Sequence, residues 1–396
     1  MSQGGSDTRN HTLAILLGLA LIFGICLAWS PGFWAVFTAQ GGVLLVAMYL
    51  VAVERNLHRS REWIVVALVS AWGVLQISSG RTISPWWTMR ASTTWIAAGM
   101  GFFVASQVLR RRGTRETFLS IILWSATVLA LLAILQIYLD PGRVFALFPA
   151  QPGSVGTFLY KNQFAAMLEI AAPIALYRML FFPASRYAGV AAFTVLLAAG
   201  IASVSRAGVV LLTAELAAAL IVAVRLRMLN RRNCLKIVAL VVLVLGVGVA
   251  IGGPQALWDH FQEKDPYGVR HELLKATLRM VADRPWNGFG MGTFHVAYPA
   301  YARFDPGVFV NAAHNDWAEW ASEGGFPFAI LIAALLSMVG ARAVKSVWGI
   351  GVLAVALHSL VDYPAREPAI ALMWFAMIGA LTARSANSAA FGHRPA

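Results

Sequence analysis

Apolar runs long enough to cross a bilayer core, which takes about 20 helical residues, recur along this chain and constrain its fold more than any other feature. Examples are the runs at 12–29, 117–139, 207–226 and 235–253. Inside lipid every backbone polar group must be bonded within the protein, so these runs are expected to be helices. Only 12% of the residues are charged, against about 25% in soluble domains. The sequence therefore predicts a multi-pass membrane protein.

The fold class predicted from these runs is all-α, with about twelve transmembrane helices in the order of the chain. A membrane β-barrel would need alternating apolar and polar residues, which the runs lack. The predicted spans lie near 12–29, 33–52, 63–79, 93–109, 117–139, 163–182, 187–204, 207–226, 235–253, 316–340, 346–361 and 368–383.

Basic residues cluster in alternate loops between the predicted spans, which by the positive-inside rule marks the cytoplasmic side. The clusters are Arg55, Arg59 and Arg61; Arg110, Arg111, Arg112 and Arg115; Arg178 and Arg186; Arg225, Arg227, Arg231, Arg232 and Lys236; and Arg342 and Lys345. Both termini are expected on that side. The net charge of +13 then reports topology, and no nucleic-acid partner is predicted from it.

Three parts follow from this topology: helices 1–9 within 1–253, a long connection at 254–313, and the last three helices with a cytoplasmic tail within 314–396. The connection is predicted to lie in the periplasm. Its acidic and basic residues balance, and an amphipathic helix is predicted over 269–282, with Val269, Leu273, Leu274, Leu278 and Val281 on one face. So long a loop between membrane helices is more often functional than passive.

Polar groups near the predicted outer face lie in five stretches, at 156–162, 203–208, 270–272, 313–325 and 358–362. Each has a structural alternative. Arg206 could snorkel to the interface, Arg270 could be solvated, and His314 could begin a helix without a further role. His358 and Asp362 could pair as a structural lock. Glu169 and Glu215 within spans are functional suspects, although helix-to-helix hydrogen bonding explains them equally well.

Several chemistries lack their signatures in this sequence. No HExxH motif or cysteine cluster points to a metal, and no Gly-x-Ser-x-Gly elbow points to a serine hydrolase. The spacing of Gly288, Gly290 and Gly292 is only a weak sign of a nucleotide loop, because no βαβ unit surrounds it. We therefore expect neither a metal nor another cofactor.

The order and content of the polar stretches resemble the O-antigen ligase and O-antigen polymerase family of bacterial membrane glycosyltransferases, over about 156–380. The most specific part is Arg270 followed by Arg284-Pro-Trp-Asn-Gly-Phe-Gly-Met-Gly-Thr-Phe294, and then Ala313-His-Asn315 with Glu323-Gly-Gly325. Ser205-Arg-Ala-Gly208 is similar to the family's Ser-Arg-Gly turn, with Ala207 inserted. His358, Ser359 and Asp362 are similar to its tail.

The resemblance implies a GT-C-like helical bundle in the bacterial inner membrane with a periplasmic active site. It implies an enzyme that takes a glycan from a polyprenyl-diphosphate donor without a metal or a nucleotide sugar, here expected to be inverting. The acceptor would be a sugar hydroxyl of lipid A-core for a ligase, our first choice, or another repeat unit for a polymerase. A transporter of lipid-linked glycan, with Glu169 and Glu215 as coupling groups, is the alternative from another class.

The chemistry suggests roles for individual residues. His314 is the predicted general base, since a histidine accepts a proton near neutral pH and a helix start disfavours imidazolium. Arg206 and Arg270, onto which the family's two functional arginines map, are predicted to bind and stabilise the diphosphate through their planar forks. Glu319 and Glu323 are weaker candidates for the base. Further substrate-binding candidates are Lys161, Asn162, Arg284, Asn315 and His358.

Overall fold

The computed structural model describes residues 3–54, 56–225 and 268–383, together with positions 239, 242 and 246. Apart from these three positions, the predicted span at 235–253 and the start of the long connection lie outside the described residues. The helices are α1 (Gln3–Leu27), α2 (Phe33–Val53), α3 (Glu62–Ser78), α4 (Pro85–Val108), α5 (Arg112–Leu139), α6 (Lys161–Phe181), α7 (Arg186–Ala202), α8 (Arg206–Arg225), α9 (Gly268–Asp283), α10 (Phe294–Ala297), α11 (Asp316–Lys345), α12 (Ile350–His358) and α13 (Pro368–Thr382).

One small hairpin and four 3₁₀ turns complete the described elements. Strands β1 (Arg143–Val144) and β2 (Phe148–Pro149) pair antiparallel, with Arg143 opposite Pro149. The 3₁₀ turns are Pro183–Ser185, Tyr298–Ala300, Val347–Gly349 and Pro364–Arg366.

Seven helices of the described residues are long and apolar enough to cross a membrane: α1, α2, α5, α6, α7, α8 and α11. This agrees with an all-α multi-pass membrane fold. Each predicted span except 235–253 falls on a helix, but α12 differs from the expected full span at 346–361. Its 9 residues rise about 14 Å, less than half of a hydrocarbon core of about 30 Å. This helix is too short to cross alone.

Helix α6 lies at the centre of the bundle. Within its most apolar window 83% of the residues are buried, against 33–44% in the other six candidate spans. It packs against α5, α7, α8 and α12. A close approach at Gly351 brings α12 onto α6, where an added Cβ would lie 2.4 Å from the carbonyl oxygen of Glu169. The small residue thereby sets the position of the segment that follows α12.

Helix α9 coincides with the predicted amphipathic helix, but its buried face is rotated from the predicted one. Leu273, Ala276 and Met280 are buried, whereas Leu278 is 54% exposed. The helix packs against α11, and its small residues at 276 and 277 fit that contact better than the larger leucine. The sequence pattern counted only large apolar residues and so placed the centre of the face about 50° away around the helix axis.

A kink divides α11 and explains the run of glycines that precedes it in the chain. Gly325 has φ 75° and ψ 173°, which breaks the helical hydrogen bonding of the preceding carbonyl groups. The Ser322 and Glu323 carbonyls instead accept from the backbone N–H groups of Phe289 (3.0 Å) and Gly290 (2.9 Å). The Gly324 carbonyl accepts from the indole of Trp72 (3.0 Å).

The three spaced glycines make this contact possible. Gly288, Gly290 and Gly292 all have positive φ, and a Cβ at Gly288 would lie 2.2 Å from the Glu323 carbonyl oxygen. The Glu323 side chain accepts from the N–H groups of Gly292 (2.8 Å) and Phe294 (2.9 Å). The glycine pattern therefore joins the connection to the kinked helix, which accounts for it without a nucleotide.

Candidate active site

Asp362, buried just after α12, is the point where most of the polar stretches meet. Its Oδ2 accepts from Nη2 of Arg270 at 2.9 Å and from the amide of Asn162. Its Oδ1 accepts from the Tyr363 backbone N–H at 3.0 Å and lies 3.4 Å from Nδ1 of His314. One carboxylate thus collects side chains from α6, from α9 and from the segment before α11.

The Ser-Arg-Ala-Gly turn is connected to this carboxylate through Asn162. Ser205 precedes α8 and its hydroxyl accepts from the Gly208 N–H at 3.2 Å, the bond expected of an N-cap. The same hydroxyl donates to Oδ1 of Asn162 at 2.8 Å. Val204 has φ 56°, an unusual value for a β-branched residue. Arg206 is half-buried at the first position of α8, beside this fixed turn.

His314 precedes α11 instead of beginning it, which differs from the expectation. Asn315 is the N-cap of that helix: its side chain accepts from the Ala318 N–H and donates to the Leu360 carbonyl at 2.7 Å. His314 has φ 53°, and its ring stands edge-on to Tyr363 with centroids 4.7 Å apart. Its side chain is 31% exposed. The charged group beside the His314 ring is therefore the Asp362 carboxylate. The positively polarised N-terminus of α11 is not in direct contact with the ring.

The electrostatics of Asp362 follow from these neighbours. Burial alone would raise the pKa of this carboxyl, but the neighbouring His314 and the charge of Arg270 outweigh it, so the pKa lies below the usual aspartate value. The carboxyl is therefore ionised at neutral pH. A buried anion between an arginine and a histidine can hold both side chains in place.

The other predicted site residues have different surroundings. His358 is fully buried, and its Nδ1 lies 2.7 Å from Oε1 of Glu169, so it pairs with α6 and not with Asp362. Arg284 is exposed and stacks over the ring of Phe289 at 4.5 Å. Lys161 is half-buried at the first position of α6, next to Asn162. Only Asn162 among these joins the Asp362 cluster through a described side-chain bond.

The two weaker base candidates bind groups of the protein itself. Glu319 pairs with Arg366, and its Oε2 accepts from the Ala313 N–H at 2.7 Å. Glu323 accepts from two backbone N–H groups of the glycine segment. Glu319 thus fixes the chain immediately before His314, and Glu323 fixes the glycine segment.

Sequence reasoning left the role of Asp362 open and did not select Arg90 or Arg366. Asp362 could have been found from its place in the tail motif, one helical turn after His358. Arg366 lies in the turn after that motif, and Arg90 precedes the fourth predicted span at 93–109. Neither residue therefore belonged to a motif or to an apolar run that would have pointed to it. In the part of the chain that the structure describes, no cluster of three or more His, Cys, Asp or Glu residues could hold a metal ion.

The fold and the site together define a multi-pass membrane protein with a basic and histidine-containing site at one end of its bundle. Comparison with protein families identifies residues 191–333 as a match to the family model described as O-antigen ligase. The match runs from α7 into α11, so this segment is similar to the O-antigen ligase family, and it confirms over these residues the resemblance found in the sequence. None of the curated proteins compared with the chain matches it.

The matched segment is shorter than the resemblance noted at 156–380. It contains Arg206, Arg270 and His314, whereas Asn162 and Asp362 lie outside it. Asp362, which joins the predicted catalytic side chains, thus lies in a part of the chain that the family model does not cover.

Proposed function

We propose that this protein is a glycosyltransferase that moves a glycan from polyprenyl diphosphate to the hydroxyl of an acceptor sugar. The observation that carries the proposal is the convergence of His314 and Arg270 on Asp362, with Arg206 on a turn linked to the same carboxylate through Asn162. A base and cationic groups in one cluster are what this reaction requires. The match of residues 191–333 to the O-antigen ligase family model supports the substrate class.

The acceptor hydroxyl must lose a proton as it attacks. With Nδ1 of His314 beside Asp362, its Nε2 is the nitrogen left for the acceptor, and the carboxylate stabilises the imidazolium that forms. The acceptor oxygen forms a bond to the anomeric carbon while the bond from that carbon to the phosphate oxygen breaks. The proton passes to Nε2, and polyprenyl diphosphate leaves from the opposite face, which inverts the anomeric centre.

The leaving diphosphate needs positive charge. Arg270 uses one N–H for Asp362 and one for the Val361 carbonyl (3.2 Å), so with respect to the described residues three of the five N–H groups of its guanidinium are left for phosphate oxygens. Arg206 begins α8 next to the capped turn, where the helix N-terminus adds partial positive charge. These two arginines would bind the diphosphate and stabilise its charge without a metal.

The acceptor we favour is lipid A-core, which makes the protein an O-antigen ligase; a polymerase that joins repeat units is the alternative. We place the protein in the bacterial inner membrane with this site facing the periplasm. The basic residues of the alternate loops support that orientation. Asn315, Lys161 and Arg284 remain candidates for glycan contacts near the cluster, whereas a direct contact of His358 would require its buried pair with Glu169 to open.

The test is product analysis in proteoliposomes. Wild-type protein is supplied with a polyprenyl-diphosphate-linked glycan and lipid A-core, and the covalent product is measured by mass. Wild type is expected to form it, His314→Ala is not, and the exposed neighbour variant His271→Ala is expected to match wild type. Relocation of the lipid across the bilayer without a covalent product would favour the transporter. Product formed only between two lipid-linked glycans would favour the polymerase.

A further inference from the structure

A second polar region lies at the start of α11, whose first residue follows His314 by two positions. It is a cavity of about 240 Å³ between α2, α4, the glycine segment, the start of α11 and the turn before α13. A cavity of about 150 Å³ already accommodates benzene, so this one has room for a single sugar ring. Of the predicted site residues, only the two weaker base candidates, Glu319 and Glu323, line it, and both bind groups of the protein itself.

Arg90 is the group in this cavity whose hydrogen-bonding capacity is unused. Its guanidinium carbon lies 3.6 Å from the ring centroid of Phe33 and 4.8 Å from that of Trp87. Its guanidinium forms no hydrogen bond and no ion pair with any side chain in the described ranges. A half-buried arginine held between two aromatic rings presents its N–H fork in a fixed orientation.

The carboxylates that line the same cavity already have donors. Asp316 accepts from the Ser359 hydroxyl (2.8 Å) and the Ala365 N–H (2.9 Å). Glu319 pairs with Arg366, and Glu323 accepts from the glycine segment. These acids therefore satisfy the protein's own donors, and none of them neutralises Arg90 through a direct contact.

His295 is a further hydrogen-bonding group in the wall of the cavity. Its ring stands edge-on to Trp87 with centroids 4.5 Å apart. Burial first, and then the positive charges of Arg366 and Arg90, lower the pKa of His295. The histidine is therefore neutral at neutral pH and can still donate one hydrogen bond.

The walls of the cavity are aromatic. Trp87, Trp95 and Trp320 line it, and the ring centroids of Trp95 and Trp320 lie 6.0 Å apart. Indole faces pack well against the apolar faces of sugar rings, and their size gives contact area at low entropic cost. A cation with free donors next to such faces fits an acidic sugar better than a neutral or a purely apolar ligand.

We propose that this cavity binds an anionic sugar of the acceptor, one that carries a phosphate or a carboxylate, with Arg90 holding the anionic group. The inference rests on the proposed transferase function and names the acceptor subsite of the same enzyme. A chain of contacts joins the cavity to the base: Arg366 lines the cavity and pairs with Glu319, which binds the backbone of Ala313, the residue before His314. These contacts connect an acceptor bound here with the chain segment that carries the general base.

The experiment measures binding of glucose 6-phosphate to the purified full-length protein by quenching of tryptophan fluorescence, with glucose as the uncharged probe. Wild type is expected to bind the phosphorylated sugar more tightly. Arg90→Gln should weaken it about ten- to a hundredfold, the loss expected when hydrogen bonds to a charged group are removed. Arg81→Gln, which removes an exposed arginine bonded to Asn287 and outside the cavity, should bind as wild type does.

Two further measurements protect this test against misfolding and against a lipid ligand. Melting curves must show that Arg90→Gln is folded, and Arg90→Lys, which keeps the charge but loses the fork, should bind with an intermediate affinity. Nanodiscs of phosphatidylglycerol should not displace the sugar phosphate any more than nanodiscs of phosphatidylcholine. Displacement by the anionic lipid would assign the site to a lipid phosphate and overturn the proposal.

Equal affinity of wild type and Arg90→Gln, or no saturable binding by wild type, would also overturn it. In the transfer assay Arg90→Gln should raise the KM for a phosphorylated acceptor and leave donor binding unchanged. Absence of transfer by wild type together with Arg90-dependent binding would refute the transferase function and still support the anion site.

Discussion

The Nδ1 atom of His314 lies 3.4 Å from Oδ1 of Asp362, and this distance relates two segments that are separated by a transmembrane helix in the chain. The carboxylate also binds Arg270, so one buried group positions the predicted base and a predicted diphosphate ligand. Substitutions of Asp362, His314 and Arg270 are therefore expected to have different effects, which can be measured separately.

Asp362→Asn is expected to remove a pH-dependent part of the stability. A carboxyl whose pKa is lower in the folded state stabilises the fold above its unfolded pKa, and that contribution is lost as the pH falls through the lower folded value. The melting temperature of wild type in detergent should therefore fall in acid, below about pH 4. Asp362→Asn should have a lower melting temperature than wild type at pH 7 and should not show this fall in acid. Parallel curves for the two proteins would contradict the charge relationship.

His314→Ala is expected to lower the transfer rate about 10²–10⁴-fold, the usual effect of losing a general base. Donor binding and the melting temperature should stay close to wild type, because the diphosphate is bound by arginines. The measurements are donor affinity, thermal stability and rate on the same preparation. If all three decline together, His314 supports the structure and the base must be sought elsewhere.

Arg270→Ala is expected to cost about 10²–10³ in rate, as for other groups that stabilise a developing negative charge. Arg270→Lys should recover only part of it, since a point charge cannot bond Asp362 and a phosphate with one planar fork. The same pair of substitutions at Arg206 should behave alike. Arg303→Ala, an exposed arginine of the same connection, is the control and should keep full activity.

Glu169→Ala is expected to destabilise the protein by about 1–3 kcal/mol, since it leaves the buried ring of His358 without its Nδ1 partner. Glu215→Gln, on the neighbouring helix α8, should have a smaller effect because its carboxylate oxygens have no hydrogen-bond partner among the described residues. Thermal melting measures both. A Glu169→Gln variant that melts as wild type does but no longer relocates lipid-linked glycan would instead favour a coupling role.

The predicted topology is tested by cysteine labelling in a background of Cys26→Ser and Cys234→Ser. A cysteine at Val308, which is 70% exposed, should react with a membrane-impermeant thiol reagent in intact spheroplasts. A cysteine at Arg59, in a basic loop on the other side, should react only after lysis. The reverse pattern would invert the orientation and remove the proposed access to a periplasmic donor.

Much of the fold could be predicted because hydropathy acts locally: each long apolar run is a helix for reasons contained within the run itself. The cluster of side chains around Asp362 could not be predicted, because Asn162 is separated from it by 200 residues and only tertiary packing brings the two together. Arg90 was missed for a related reason. The predicted span at 93–109 began after Arg90 and so left it out. Helix α4 begins earlier, at Pro85, and packs the Arg90 guanidinium against aromatic rings.

The kink of α11 restricts how large substrates can reach the site. The carbonyl groups that have no helical partner at the kink accept hydrogen bonds from the glycine segment. If residues 285–292 moved outward, several of these buried carbonyl groups would lose their hydrogen-bond partners. This segment therefore cannot serve as a lid that opens in each catalytic cycle. Entry and exit of a long glycan must rely on other parts of the connection, such as the largely exposed residues at 303–309, or on a sideways path from the bilayer.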